Sequence, residues 1–175
     1  MGDGYHMINL FERPKLKIKT TKSEWIWNII GYSFYLGSLI LLVINWNKLP
    51  EEVPAHYNEL GEVTRWGSKR VYFIIPIIMG IFLLLMMQTL EMFPEVYNYP
   101  KRLNETNTKK FYLVTRKMMN QFKNIFSVTF SYLLIQKIAI AFNWNDGLGM
   151  LFLPIAVIGL GIPIVIGIVS YKRIK

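Results

Sequence analysis

Residues 71–90 read VYFIIPIIMGIFLLLMMQTL, which is 20 consecutive positions without a formal charge. A helix rises about 1.5 Å per residue and the hydrocarbon core of a bilayer is about 30 Å thick, so roughly 20 apolar residues are enough to cross it. Residues 25–47 and 147–171 also lack charge, and residues 124–145 are interrupted only by Lys137. None of these stretches has the polar face of a soluble helix. The sequence therefore predicts an all-α integral membrane protein with four transmembrane helices.

The composition excludes several other classes of protein. With 53% hydrophobic and 18% charged residues, the chain is too apolar for a disordered segment. It contains no cysteine, which excludes disulfides, thiol chemistry and thiolate metal sites. A net charge of +9 would suggest nucleic acid in a soluble protein. Because the basic residues lie outside the apolar runs, we instead expect a lipid bilayer as partner and no nucleic acid. The predicted organisation is a basic segment, 1–24, before one four-helix membrane domain, 25–175.

The distribution of Lys and Arg predicts the orientation in the membrane. Residues 1–24 carry five, residues 91–123 carry seven and residues 172–175 carry three. The segment 48–70 has four, which four glutamates balance, and the turn around Asp146 has none. Because loops rich in Lys and Arg stay in the cytoplasm, we expect both termini and the middle loop there. Segment 48–70 then forms an outer loop.

The outer loop contains the side chains best suited to binding. Residues 49–69 read LPEEVPAHYNELGEVTRWGSK, and their prolines and glycines favour a compact, ordered loop over a helix or a flexible linker. The alternative role is a cap on the helix bundle, with the tryptophan at the lipid headgroups. The side chains that offer donors, acceptors and aromatic faces to a ligand are His56, Tyr57, Asn58, Trp66 and Lys69.

The same stretch resembles a known family. The pattern L-P-x-x-V-P-x-H-Y-N-x-x-G-x-x-x-x-W-G-S-K, followed by an apolar span with an early proline at Pro76, is similar to the small bacterial membrane domain of unknown function at the N-terminus of SdpI-type proteins. The resemblance covers residues 46–76, and Asn98-Tyr99-Pro100 is similar to a segment after the second span of many relatives; Thr64 stands where relatives often have Asp. It implies immunity against a secreted toxic peptide, or signalling to a repressor.

The sequence does not indicate an enzyme. His56 is the only histidine outside the N-terminal segment, and zinc requires three or four protein ligands. The chain has no HExxH, G-x-S-x-G, P-loop or dinucleotide fingerprint. We therefore expect no catalytic residues, no metal and no cofactor. The main alternative to an immunity or envelope-sensing role is an accessory subunit of a transporter or export complex, and a membrane enzyme using His56 is the weaker one.

Lys137 is a further candidate because it is the sole ionisable residue in the predicted spans. Charged residues at such depth are functional candidates by default, since their burial is costly. Lys137 lies eight residues before Asn145, about 12 Å below the outer end of its helix. From there its side chain could extend to the surface, meet Asp146 or line a polar seam. The alternative is a packing role between helices.

The middle loop ends in a basic stretch that predicts an amphipathic helix. Phe111, Val114, Met118 and Phe122 fall at near-helical spacing, which suits a helix lying on anionic lipid. The alternative is a docking helix for a cytoplasmic regulator or a second membrane subunit. The basic side chains expected to contact lipid or a partner are Lys109, Lys110, Arg116, Lys117 and Lys123.

Overall fold

The computed structural model describes residues 13–174 as four long helices and one β-hairpin. All four helices are long and apolar enough to cross a membrane, which confirms the number expected and indicates a membrane protein. The hairpin corrects the all-α prediction, because the segment 48–70 contains two paired strands. The elements are α1 (Lys22–Asn45), β1 (Glu52–Tyr57), β2 (Val63–Ser68), α2 (Lys69–Met92), a 3₁₀ turn (Pro94–Val96), α3 (Thr108–Ala141) and α4 (Phe152–Arg173).

Helix α3 is the centre of the arrangement. It has 34 residues and is therefore about 51 Å long. Helices α1, α2 and α4 each pack against α3, and their backbones do not approach one another within the described residues. Small polar side chains such as Thr115, Ser127 and Ser131 are fully buried on α3, where they allow close approach of the neighbouring helices. The other three helices expose large apolar side chains outward, as lipid-facing helices do.

Helices α3 and α4 have boundaries that differ from the predicted spans. The amphipathic stretch and the span predicted at 124–145 form one continuous helix, since no proline or glycine interrupts residues 108–141. After Ala141 the chain leaves the helix and Asn143 adopts a positive φ of 58°. Helix α4 begins only at Phe152, so the first five residues of the span predicted at 147–171 are a connection.

The hairpin is packed onto the end of the helix bundle. Strands β1 and β2 are antiparallel, with Val53 opposite Gly67, Pro54 opposite Trp66 and His56 opposite Arg65. The register shifts at the position between Pro54 and His56, where β1 carries an extra residue. The core cluster that contains the fully buried Val53 also includes Leu42, Leu49, Phe73, Leu134, Ile138 and Ala141.

The turn of the hairpin docks on the connection between α3 and α4. The amide of Leu148 donates to the carbonyl of Gly61 at 2.8 Å. Gly61 has a φ of +80°, and a Cβ there would lie 2.9 Å from the carbonyl oxygen of Gly149. Glycine is therefore required at position 61 by both conformation and close approach. The hairpin is thus held at two places, its strands on the core and its turn on the α3–α4 connection.

At the opposite end of the bundle, the loop 93–107 is fixed by aromatic packing. The ring of Tyr99 lies 5.9 Å from that of Phe111 and 5.4 Å from that of Tyr112. Its hydroxyl donates to the carbonyl of Pro94 at 2.6 Å. The extended segment 13–21 crosses this end and is tied to the loop, because Arg13 Nη1 donates to the carbonyl of Tyr97 at 2.6 Å.

Candidate functional site

Asn58, one of the predicted ligand residues, closes the hairpin turn. Its Oδ1 accepts from the amides of Leu60 at 3.0 Å and Glu62 at 2.9 Å, and its Nδ2 donates to Glu62 Oε2 at 2.6 Å. An asparagine side chain that bonds the backbone two residues ahead is a common way to fix a turn. The polar atoms of Asn58 are therefore engaged within the hairpin.

Lys69 anchors the hairpin to α1. Its side chain is buried, and Nζ donates to the carbonyl of Leu49 at 3.0 Å and pairs with Glu51 Oε1 at 3.1 Å. It also lies 5.6 Å from the centre of the Trp46 ring. A cation beside the carbonyls that follow the end of α1 is favourable because those groups lack helical partners. The structure thus places Lys69 among internal contacts rather than on the binding surface that the sequence predicts.

Tyr57 is the last residue of β1 and lies beside the α3–α4 connection. It is half-buried, and its hydroxyl is buried without a hydrogen-bond partner among residues 13–174. This burial raises the pKa of Tyr57 to about 12, so the phenol stays protonated at neutral pH. Tyr57 lines a small cavity of about 270 Å³ together with Leu148 and Phe152.

His56, Arg65 and Trp66 are exposed side chains of the two strands, and this group of three is here called the recognition face. All three are exposed, Trp66 to 45%. His56 Nδ1 lies 3.0 Å from the carbonyl oxygen of Tyr57, and Arg65 Nη2 donates to the hydroxyl of Tyr72 at 3.2 Å. The sequence analysis did not find Arg65, because only the strand register places it opposite His56. Among residues 13–174, no three His, Cys, Asp or Glu side chains come together as a metal site.

Lys137 contacts α2 rather than Asp146. Its Nζ donates to the carbonyl of Tyr72 at 2.9 Å and lies 5.6 Å from the centre of the Phe73 ring. The carbonyl of Tyr72 would normally accept from the amide four residues later, but that residue is Pro76, which has no N–H. Lys137 therefore supplies the donor that the proline removes. This is the packing role that the sequence left open as the alternative.

The most extensive polar site lies at the opposite end of the bundle, and the sequence analysis did not find it. Here Lys123 Nζ pairs with Glu91 Oε2 at 2.7 Å, and the two side chains are 1% and 8% exposed. Lys123 Nζ also donates to Gln88 Oε1 at 2.6 Å. The surface position expected for Lys123 is wrong, because this residue faces α2 inside the bundle. We use the name buried polar cluster for the following residues: Glu91, Lys123, Gln88, Asn28, Asn120, Asn124, Glu24 and Arg116.

Three asparagines connect α1 to α3 within the buried polar cluster. Asn120 Nδ2 and Asn124 Nδ2 donate to Asn28 Oδ1 at 2.8 and 2.9 Å. Asn120 Nδ2 also bonds Glu91 Oε1 at 2.9 Å, which joins the asparagines to the ion pair. A Cβ on Gly31 would lie 2.2 Å from Asn124 Oδ1. The two helices therefore approach closely only because residue 31 is glycine.

A second buried ion pair fixes the start of α1. Arg116 Nε and Nη2 bond the two carboxylate oxygens of Glu24 at 2.7 and 3.0 Å. The same carboxylate accepts from the amide of Thr21 at 2.6 Å and completes a capping box. Arg116 Nη2 further donates to the carbonyl of Lys19 at 2.8 Å. Arg116 thus binds the segment 13–21 and α1 to α3. Its guanidinium is engaged within the protein rather than with the lipid or partner that the sequence predicts for this residue.

The remaining basic residues of α3 keep the positions expected for surface contacts. Lys109 and Lys110 are exposed and Lys117 is half-exposed. They stay predicted contacts of lipid or a partner. The sequence does not indicate the buried polar cluster, because Glu24, Glu91 and Lys123 lie just outside the charge-free stretches, in segments predicted as loops. Amides and hydroxyls recur along residues 120–131, yet the side chains of Asn120, Asn124 and Ser127 bond partners that lie on other helices.

Comparison with known proteins identifies one domain. Residues 34–80 match the model of a family described as "Domain of unknown function (DUF1648)". The match spans the second half of α1, the hairpin and the first half of α2, where the sequence predicts a domain of unknown function, and it does not identify an SdpI-type immunity protein. No curated protein and no solved structure matches the chain.

Proposed function

We propose that the protein is a non-enzymatic bacterial membrane protein that recognises a toxic peptide or another envelope ligand through its hairpin. In this proposal the four helices cross the cell membrane, both termini and the loop 93–107 lie in the cytoplasm, and the hairpin faces outward. The excess of Lys and Arg in the segments opposite the hairpin supports this orientation.

The proposal depends on the difference between hairpin residues that are engaged in internal contacts and hairpin residues that stay exposed. Asn58, Gly61 and Lys69 are used to hold the hairpin on the bundle. His56 and Trp66 stay exposed on that fixed support. A fixed support that exposes an indole ring, an imidazole and a guanidinium suits peptide binding, because little conformational entropy is lost when the ligand docks.

The test is protection of sensitive cells from a secreted toxic peptide of the kind that SdpI-type proteins counter. Cells that produce the wild-type chain should survive, whereas cells with His56→Ala combined with Trp66→Ala should lose most of the protection at equal membrane abundance. Thr64→Ala is the matched control, because Thr64 is exposed on β2 outside the recognition face. Equal sensitivity of cells with and without the wild-type chain would contradict an immunity role.

An accessory subunit of a transporter or export complex is a second candidate. It is favoured by the outward sides of α1, α2 and α4, which expose large apolar residues, and by backbones that do not approach one another within the described residues. A partner's transmembrane helices could cover these sides. Purification from native membranes in mild detergent tests this candidate, which predicts a second membrane chain in fixed ratio; isolation of this chain alone would contradict it.

A further inference from the structure

A polar groove lies beside the buried polar cluster, between the segment 13–21 and the ends of α2 and α3. Its volume is about 430 Å³, and it is open on one side. Asn28, Gln88 and Glu91 line it, and Lys17 and Thr20 of the segment 13–21 line it as well. The groups that are not yet hydrogen-bonded within the protein indicate what kind of ligand the groove can bind.

The acceptor atoms of the groove are engaged by the protein itself. Asn28 Oδ1 accepts two asparagine amides at 2.8 and 2.9 Å. Gln88 Oε1 accepts from Lys123 Nζ at 2.6 Å and from the hydroxyl of Tyr32 at 2.7 Å. Both oxygens of Glu91 are bonded as well, at 2.9 and 2.7 Å. Little acceptor capacity remains for a ligand.

The donor atoms, in contrast, remain free. Asn28 Nδ2 and Gln88 Nε2 donate to no other group among residues 13–174. Neither nitrogen is fully buried, so both are accessible to a ligand. An amide whose oxygen is fixed by two bonds can offer only its N–H groups. Lys17 adds an exposed ammonium that forms no ion pair within the described residues. The groove is therefore lined by donors.

The charge of the groove favours an anion. Glu91, which lines the groove, is neutralised by Lys123, and Arg116, which also lines it, is paired with Glu24. Lys17 is left as the uncompensated charge, and Leu16 and Met92 supply exposed apolar surface beside it. Donors and a cation next to apolar side chains at a helix end match the headgroup region of an anionic lipid.

We propose that this groove binds the phosphate of an anionic phospholipid, with the apolar chains directed along α2. The phosphate oxygens accept from Asn28 Nδ2, Gln88 Nε2 and the ammonium of Lys17. This site is independent of the recognition face, which lies at the other end of the bundle. A soluble phosphate compound is the other source of the same chemistry, and the experiment below distinguishes the two.

The experiment measures lipid binding to the purified full chain in detergent by native mass spectrometry. Phosphatidylglycerol and phosphatidylcholine are titrated separately, and inorganic phosphate is added in a third arm. We expect saturable binding of phosphatidylglycerol in preference to phosphatidylcholine, without displacement by inorganic phosphate. Binding of inorganic phosphate with displacement of the lipid would overturn a lipid as the source.

Three variants locate the binding. Lys17→Gln should weaken phosphatidylglycerol binding about fivefold, which is the usual effect of one cation near an anionic lipid. Gln88→Glu keeps the oxygen that Lys123 uses, removes the free N–H groups and adds negative charge, so it should weaken binding further. The matched control is Lys22→Gln, an exposed lysine outside the groove. Because Lys17 is exposed, its substitution leaves the fold intact. Equal weakening of lipid binding by Lys17→Gln and Lys22→Gln, or no weakening by either, would overturn the site.

Discussion

The ammonium of Lys137 on α3 bonds the carbonyl of Tyr72 on α2 at 2.9 Å, and it does so at the one position of α2 where Pro76 has removed the helical donor. The lysine therefore replaces the hydrogen bond that the proline cannot form. This contact gives an ionisable residue within an apolar helix a structural partner.

The pair predicts a specific energetic coupling between Lys137 and Pro76. Lys137→Met should lower the free energy of unfolding by about 1–3 kcal/mol, because the carbonyl of Tyr72 loses its donor. In a Pro76→Ala background the helix supplies that donor, and the same substitution should cost little. The measurement is a double-mutant cycle in mixed micelles titrated with SDS. The same cost in both backgrounds would show that Lys137 does not compensate for the proline.

The buried pair of Lys123 and Glu91 predicts a large effect of removing one partner. Lys123→Met should destabilise the fold by about 3–5 kcal/mol, because the carboxylate is left buried and unpaired. Adding Glu91→Leu should recover much of that loss. Lys110→Met is the control, since Lys110 is exposed on the same helix. If the double variant were as unstable as the single one, the ion pair would not be the source of the effect.

The contact of α1 with α3 predicts different outcomes for two glycines on one helix. Gly31→Ala should destabilise the fold by about 1–3 kcal/mol, because its Cβ would meet Asn124 Oδ1 at 2.2 Å. Gly37→Ala should be neutral or stabilising, since a Cβ there meets nothing within 4 Å. Thermal unfolding of both variants in one detergent provides the comparison. Equal midpoints for the two would contradict the close packing at Gly31.

Much of the helical framework could be predicted from the sequence, because charge-free runs of about 20 residues report directly on span length. The hairpin could not, since its short strands are interrupted by Pro54 and a bulge and therefore lack a clear alternation. The length of α3 was underestimated because Lys123 ended the apolar window, although nothing in the backbone chemistry ends the helix there.

The candidate sites were predictable only in part, for a related reason. His56, Trp66, Asn58 and Lys69 are all polar or aromatic side chains in a turn-rich loop, and the sequence therefore predicts the four alike as ligand residues. In the structure, His56 and Trp66 are exposed, whereas Asn58 and Lys69 bond the backbone of the protein. The buried polar cluster depends on partners 29–96 residues apart in the chain. Single-sequence patterns report local periodicity, so pairs at such separations are not visible to them.

We infer that four helices cross a membrane and place the hairpin and the loop 93–107 on opposite sides. The chain has no cysteine, so each introduced cysteine is the only one present. Thr64→Cys on β2 and Glu105→Cys before α3 are both at exposed positions. A membrane-impermeant maleimide applied to intact cells should label Thr64→Cys at once and Glu105→Cys only after lysis. Labelling of Glu105→Cys in intact cells, or failure to label Thr64→Cys, would contradict the claim.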